Sequence, residues 1–405
     1  MKRLQKRAFI LGAVGAAVCL VGGIINPRQF FYSYLLAYVL WLGVTLGSLG
    51  LLMVQHLSGG AWGFVLRRQL EGAARLVPSM GLLFIPILIG LRTLYPWARP
   101  EVVAADPILQ GKQIYLNIPF FVLRAGFYFT IWAAIGWVLS YWSLMQDERG
   151  EQPLGRRMQA VSAAGLILYV LTMTFASVDW LMSLEPHWYS TIFSIVVISG
   201  QGLSAIAVAI IVLAALSHDK RMAQVAVPAR FHDLGNLMLM FLMVWAYVSF
   251  SQFLIIWSAN LPEEIPWYTH RIGDEWQWIG LGLVVFHFAI PFALLLSRRT
   301  KRIRSRLVPV AVSILVMRAV DLFWVVGPER SPAQFHVHWL DIVSPITLGC
   351  VWVALYTRQL QGRSLLPKYG DEGSAPEGTQ LDIRESGFRR AEPSSAGAHE
   401  RPAIP

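Results

Sequence analysis

The sequence predicts an all-α, polytopic membrane protein of about ten transmembrane helices. Composition is the first reason: of 405 residues, 55% are hydrophobic and only 14% charged, with a mean hydropathy of +0.51. A soluble globule of this size does not need so much apolar surface. The second reason is run length. The apolar residues form continuous runs, each near the roughly 20 residues that cross a hydrocarbon core about 30 Å thick. The third is pattern. The runs do not alternate polar and apolar, and lipid makes each span satisfy its own backbone, so helices are expected.

In chain order the runs are 8–25, 34–57, 72–95, 118–145, 159–184, 189–216, 232–257, 276–296, 307–327 and 340–360. The basic start, Lys2 to Arg7, resembles a signal peptide. The run behind it is long enough to span and no small-residue cleavage site precedes Asn26-Pro27, so it reads as a retained first helix. In the second run, Gly43, Gly47 and Gly50 allow another helix to approach closely. Pro78 and Pro86 interrupt the third. Between the fifth and sixth lies a Trp- and His-rich corner with a helix-breaking proline, Pro186. The lengths suit two four-helix bundles plus flanking helices. The transmembrane domain is expected over 1–363. Residues 364–405 fill with Gly, Pro, Ser and charge, as a disordered cytoplasmic tail does.

A formal charge of +10 is common in nucleic-acid binders, but here the basic residues sit in short loops between runs, a topogenic pattern. One set of loops holds Lys2, Arg3, Lys6 and Arg7, then Arg67 and Arg68, then Arg149, Arg156 and Arg157, then Lys220, Arg221 and Arg230, then a dense run from Arg298 to Arg306. The opposite set is poorer at every pair except the loop with Arg99 and Lys112. Both termini are therefore expected in the cytoplasm, with lipid and not nucleic acid as the surroundings. Cys19 and Cys350 share no metal-binding spacing, so no thiol-ligated metal is expected. The loops 96–117, 258–275 and 328–339 are rich in Trp, Pro and acids, as helix caps and docking surfaces are.

Ionisable residues inside the runs are the candidate functional groups, because charge is expensive in hydrocarbon. Arg124, Asp179 and Asp321 fall in the outer half, and Arg318 and His287 near the middle. Arg318 and Asp321 are three apart and share a helix face. Two arginines and two aspartates at similar depth are expected to neutralise one another in one pocket. His287 has the pKa range suited to passing protons. A second set, His56, Glu71, Arg75, His232 and Asp233, lies in the first turns at the cytoplasmic side. Dipole and snorkelling effects account for much of it. Together the sets resemble two half-channels with an apolar gap, and the outer one can also take a quinone ring. A haem is not expected, because His287 lacks a facing ligand at its depth and His56 and His232 lie at the boundary.

Four segments carry a family resemblance. They are Val178-Asp-Trp-Leu-Met-Ser-Leu-Glu-Pro-His-Trp-Tyr-Ser-Thr-Ile192, Ser249-Phe-Ser-Gln-Phe-Leu-Ile-Ile-Trp-Ser-Ala-Asn-Leu-Pro-Glu-Glu-Ile-Pro-Trp267, His232-Asp-Leu-Gly-Asn236 and His338-Trp-Leu-Asp341. They resemble the ActF-type membrane subunit of bacterial alternative complex III, within the NrfD/PsrC-like integral membrane group. The resemblance runs from about residue 30 to 362. It implies a subunit of a respiratory quinol:electron-acceptor (cytochrome c) oxidoreductase in a bacterial inner membrane. The implied partners are a larger homologous NrfD-like membrane subunit, a multihaem cytochrome c and iron–sulfur subunits. The haems c and iron–sulfur clusters would reside in those partners. This chain would bind no cofactor of its own beyond a quinol or quinone, and would support quinol oxidation and proton movement. Asp179, Arg318 and Asp321 fit the family's buried polar positions. Two other readings stay open: a quinol-binding anchor of another NrfD-type oxidoreductase, and a secondary transporter working its two pockets alternately.

Overall fold

The computed structural model describes residues 1–149, 153–273, 275–330 and 335–367. Among them every element is helical and none is a strand. Ten helices are long and apolar enough to cross a membrane. They are α1 (Lys2–Ile25), α2 (Pro27–Ser58), α3 (Ala61–Ile89), α4 (Ile118–Arg149), α5 (Pro153–Trp180), α6 (Phe193–Leu216), α7 (Pro228–Ala259), α8 (Trp276–Leu296), α9 (Arg304–Arg330) and α10 (Trp339–Leu360). Most of the expected tail lies outside the described residues.

Local sequence sets many of the boundaries. Proline opens α2, α5 and α7, where its fixed φ suits the first turn and its missing N–H costs nothing. Asn26 caps α2 by accepting from Gln29 N at 3.1 Å. Asn260, left-handed at φ 51°, ends α7. At α10 the His338 ring and the Asp341 carboxylate form a reciprocal cap.

Two helices depart from regularity. α3 is broken into Ala61–Ala74, Val77–Leu82 and Ile85–Ile89, each break just ahead of Pro78 or Pro86. It also begins at Ala61, well before the expected 72. Arg67 and Arg68, read from sequence as loop residues, are therefore helical and buried. The early start is tolerated because acids on α3 and α4 meet both charges. In α8 the residues Leu283–Ala289 form a π-helical stretch. Pro291, which cannot donate a backbone hydrogen bond, lies just beyond it.

The packing centre is α2, whose apolar window is 94% buried, against 22% for α1 and for α8. Helices α2 to α5 form one group and α6 to α9 another, joined where α2 lies along α6; α1 and α10 pair beside α2. This is the two-bundle arrangement with flanking helices. The α2–α6 approach is close because Gly47 has no side chain: a Cβ there would lie 2.2 Å from the Gln201 carbonyl oxygen. Gln361 Nε2 donates to Gln5 Oε1 at 2.8 Å, so α1 begins where α10 ends. That side is called the basic end here, and the opposite side, with the Trp-rich loops, the aromatic end.

Gly47→Val is expected to destabilise the fold by about 1–3 kcal/mol or more, because a backbone oxygen cannot yield. Gly126→Ala, with open space around its Cβ position, is the control and should be neutral or slightly stabilising. Thermal unfolding of both variants in detergent checks this. Equal midpoints would contradict the close α2–α6 contact.

Candidate functional site

Near the aromatic end, Asp179 of α5 is completely buried. Arg124 of α4 grips it with two hydrogen bonds, Nε to Oδ2 at 2.9 Å and Nη2 to Oδ1 at 2.8 Å. The Tyr128 hydroxyl donates to Oδ2 at 3.0 Å. The guanidinium also donates to the Tyr115 carbonyl at 2.9 Å and lies 3.8 Å from the centre of that ring. Both carboxylate oxygens and all three guanidinium nitrogens are engaged, so this pair is closed, with the Tyr115 hydroxyl beside it unpartnered. Its arrangement is that of a clasp between α4 and α5.

The second pair lies within α9. Arg318 Nη1 hydrogen-bonds Asp321 Oδ2, and both side chains are buried. Gly200 of α6 makes room for the guanidinium, since a Cβ there would lie 2.2 Å from Arg318 Nη2. Two residues from other helices border the pair. The Trp245 ring of α7 meets the His287 ring of α8 edge-on at 4.3 Å. The indole lies near Asp321 without a well-directed bond to it. His287 is 0% exposed, and neither ring nitrogen has a hydrogen-bond partner in the protein. Arg318 Nε is also unpartnered, and its charge faces the imidazole. In contrast to the first pair, this one is open.

At the basic end, buried Glu71 is surrounded by arginines: Arg68 Nη1 at 2.6 Å, Arg67 Nε at 3.4 Å and Arg75 Nη2 at 3.8 Å. Arg68 also pairs with Asp147 of α4 and donates to Ser143 Oγ at 3.1 Å. His56 sits close to Arg67 with its Nε2 unpartnered.

Two expectations need correction. Arg124, Asp179, Arg318 and Asp321 do not form one mutually neutralising pocket. Each aspartate has its own arginine, the first pair between α4 and α5 and the second on α9 against α6, α7 and α8, because an arginine three residues away or on the neighbouring helix is already within reach. The second set also divides. His56, Glu71 and Arg75 come together, whereas His232 and Asp233 lie apart on the first turns of α7. Asp233 pairs with Arg230 at 3.2 Å, its side chain 40% exposed. His232 lies 3.4 Å from Asn236, which accepts from Lys301 Nζ at 2.7 Å.

The sequence reading missed a third group at the aromatic end. Arg271, in the short helix Ile265–Ile272, is 1% exposed. It donates to Glu329 Oε1 at 2.6 Å, to the carbonyls of Trp267 and Val325 at 2.7 Å each, and to that of Trp324 at 3.1 Å. Glu185, in the corner after α5, contacts Glu329. His187 joins it to the surface, with Nδ1 3.6 Å from Glu185 Oε1 and Nε2 2.6 Å from Asp106 Oδ2. Burial pushes the Glu185 carboxyl up to about 7, and the neighbouring Glu329 charge adds to the rise while His187 and Arg271 oppose it. Nothing local to Arg271, which falls between two apolar runs, marks it as buried. Glu185 stood in the quoted corner, but nothing in the sequence placed it beside Glu329. Asp341 was likewise seen only as part of a motif. It accepts from Gln29 Nε2 at 2.9 Å, Ser33 Oγ at 2.5 Å and Arg330 Nη1 at 3.2 Å, tying α2, α9 and α10 together.

A crevice of about 350 Å³ opens beside the first pair, lined by Lys112, Tyr115, Met182, Pro186, Trp188 and Tyr189 among others. Among the described residues no three His, Cys, Asp or Glu side chains are grouped to hold a metal ion. No protein-family model matches the chain, and no curated protein matches it.

The closed pair makes a stability prediction. Arg124→Ala leaves Asp179 buried and unpaired and should cost about 3–5 kcal/mol, whereas the double change Arg124→Met with Asp179→Leu should cost clearly less. Unfolding midpoints of the two variants decide it; an equal or larger loss in the double variant would contradict the clasp. Glu185 makes a pH prediction. Its folded pKa, about 7, exceeds the ordinary 4.5, so the folded chain keeps a proton that the unfolded chain releases. Stability should fall as pH rises from 4.5 to about 7, and Glu185→Gln should flatten that slope. An unchanged slope in the variant would refute the assignment.

Proposed function

We propose that this chain is an integral membrane subunit of a respiratory quinol:cytochrome c oxidoreductase of the alternative complex III type, supporting quinol oxidation with a proton route through its buried ionisable groups. The observation that carries the proton route is the open cluster of α7, α8 and α9. There a fully buried histidine with two free nitrogens stands beside a buried Arg–Asp pair. Ionisable side chains gathered within a span are costly in hydrocarbon, and a buried imidazole beside an Arg–Asp pair suits proton transfer. The four sequence segments quoted above support the assignment to this kind of complex.

In this reading Arg318 holds the Asp321 carboxylate in place. Asp321 accepts a proton and releases it again, because its partner stabilises the charged form while burial opposes it. A neutral imidazole carries a proton on one nitrogen and a lone pair on the other, so His287 can receive and pass on in one step. Glu71 with its arginines would take protons at the basic end, and Glu185, linked to the surface through His187, would release them at the aromatic end. Electrons would travel through haems c and iron–sulfur clusters in partner subunits. The chain would lie in a bacterial inner membrane with both termini cytoplasmic, as the excess of Lys and Arg at the basic end supports.

One observation favours a second reading, a quinol-binding anchor of another NrfD-type oxidoreductase. The crevice combines aromatic and apolar walls with Lys112 at the aromatic end, where a quinone ring would find a hydrogen-bond donor.

Purification of the tagged chain from native membranes tests the assignment. It should bring a larger membrane subunit, a multihaem cytochrome c and iron–sulfur proteins, and isolation of the chain by itself would overturn the proposal. In the assembled complex, Asp321→Asn should lower proton release per quinol oxidised with the subunits still present. A wild-type ratio would remove the proton route. A photoreactive quinone that labels Lys112 or Tyr115 would favour the anchor reading, and label confined to the larger subunit would dismiss it.

A further inference from the structure

We propose that α7, α8 and α9 enclose a bound-water site at mid-span, in which water bridges the Arg318–Asp321 pair to His287. The inference gives the proton route of the preceding section its carrier and rests on that reading only for its role in transport. Its basis is hydrogen-bond accounting. Buried polar atoms in folded proteins nearly always have a partner. Here His287 Nδ1 and Nε2 and Arg318 Nε have none in the protein, and Trp245 Nε1 only approaches Asp321 without a well-directed bond, although these atoms come from three different helices. His287 is 0% exposed, Arg318 4% and Trp245 6%, so bulk solvent does not supply the partner.

The chemistry of these atoms selects the ligand. Trp245 Nε1 and Arg318 Nε only donate. Asp321, ionised, only accepts, and one nitrogen of a neutral imidazole accepts while the other donates. An anion would satisfy the donors but be repelled by Asp321 and leave the accepting nitrogen without a donor. A metal cation would be repelled by Arg318. Water alone both accepts and donates, and a bridging water typically makes about three such bonds. The wide π turn of Leu283–Ala289 is where His287 sits, and such turns are unusual outside sites that need a side chain placed off the regular helical register. One turn further toward the aromatic end, Ser249 Oγ on α7 and Trp324 Nε1 on α9 are unpartnered too.

Radiolytic hydroxyl labelling of the full complex in native membranes tests this. Radicals formed from bound water oxidise adjacent side chains even when bulk water does not reach them. Trp132 is the internal control: it is 0% exposed, as His287 is, and its Nε1 is already bonded to Thr172 Oγ1 at 2.8 Å. Trp245 and His287 should be oxidised several-fold faster than Trp132, and should retain the oxygen isotope of the original water after brief transfer to ¹⁸O-water. Labelling of both at the Trp132 level would overturn the proposal. In His287→Met the Trp245 labelling should fall toward the control, and an undiminished rate would show that His287 does not hold the water. If the variant does not assemble, the wild-type comparison with Trp132 still decides the matter. The labelling is independent of turnover. Strong labelling in a complex that releases no protons through Asp321 would leave the water site standing and remove only the proton route.

Discussion

An ion inside hydrocarbon costs several kilocalories per mole or more even after relaxation, and that cost governs the interior of this protein. The carboxylates Glu71, Asp179, Asp321, Glu329 and Asp341 all have an arginine partner, and the pairs occupy both ends and the middle of the bundle. Where the two side chains of a pair come from different helices, the pair also fixes how those helices stand beside one another. Arg124 and Asp179 align α4 with α5. Arg68 and Asp147 align α3 with α4. Arg330, Asp341, Gln29 and Ser33 hold α9, α10 and α2 together. Lipid offers no hydrophobic drive for helix association, so such links and close small-residue contacts provide much of the specificity.

The pairs differ in how completely they are satisfied, and that difference separates architecture from chemistry. Arg124–Asp179 and Arg271–Glu329 are saturated by further hydrogen bonds to tyrosine and to backbone carbonyls. Moving a proton there would require breaking several bonds at once. Arg318–Asp321 has only its mutual contact, with Trp245 and His287 alongside and unpartnered. A group that must gain and lose a proton cannot also be held at every lone pair. The open pair is therefore the better seat for proton transfer, although it is no more deeply buried than the closed ones.

Departures from regular helix coincide with polar groups. Arg75 caps the first piece of broken α3 and reaches back to Glu71. His287 occurs in the π turn of α8. Glu185 follows the short 3-10 turn that ends α5. In each case a proline downstream, Pro78, Pro291 or Pro186, denies the backbone a regular continuation. The side chain at the irregularity then points where a regular helix would not send it.

How much of this was legible in the sequence follows from the range of the forces involved. Ten spans, their order, the basic and aromatic ends and the close approach at Gly47 are written locally, because hydropathy, loop charge and glycine spacing act within one segment. The depth of Asp179, Asp321 and His287 follows from counting along a helix. The partners do not. Arg318 and Asp321 share a helix face in the sequence itself, but only the lateral arrangement of helices put Arg124 with Asp179 and kept the two pairs apart. That arrangement also withdrew Arg67 and Arg68 from the loop into the core, moved His232 and Asp233 out to the surface, and brought Glu185 against Glu329 across a long sequence separation. Depth along the span is a one-dimensional property fixed by the chain itself, whereas contact across the bundle depends on which helix faces become neighbours, and that is decided only when all ten pack at once.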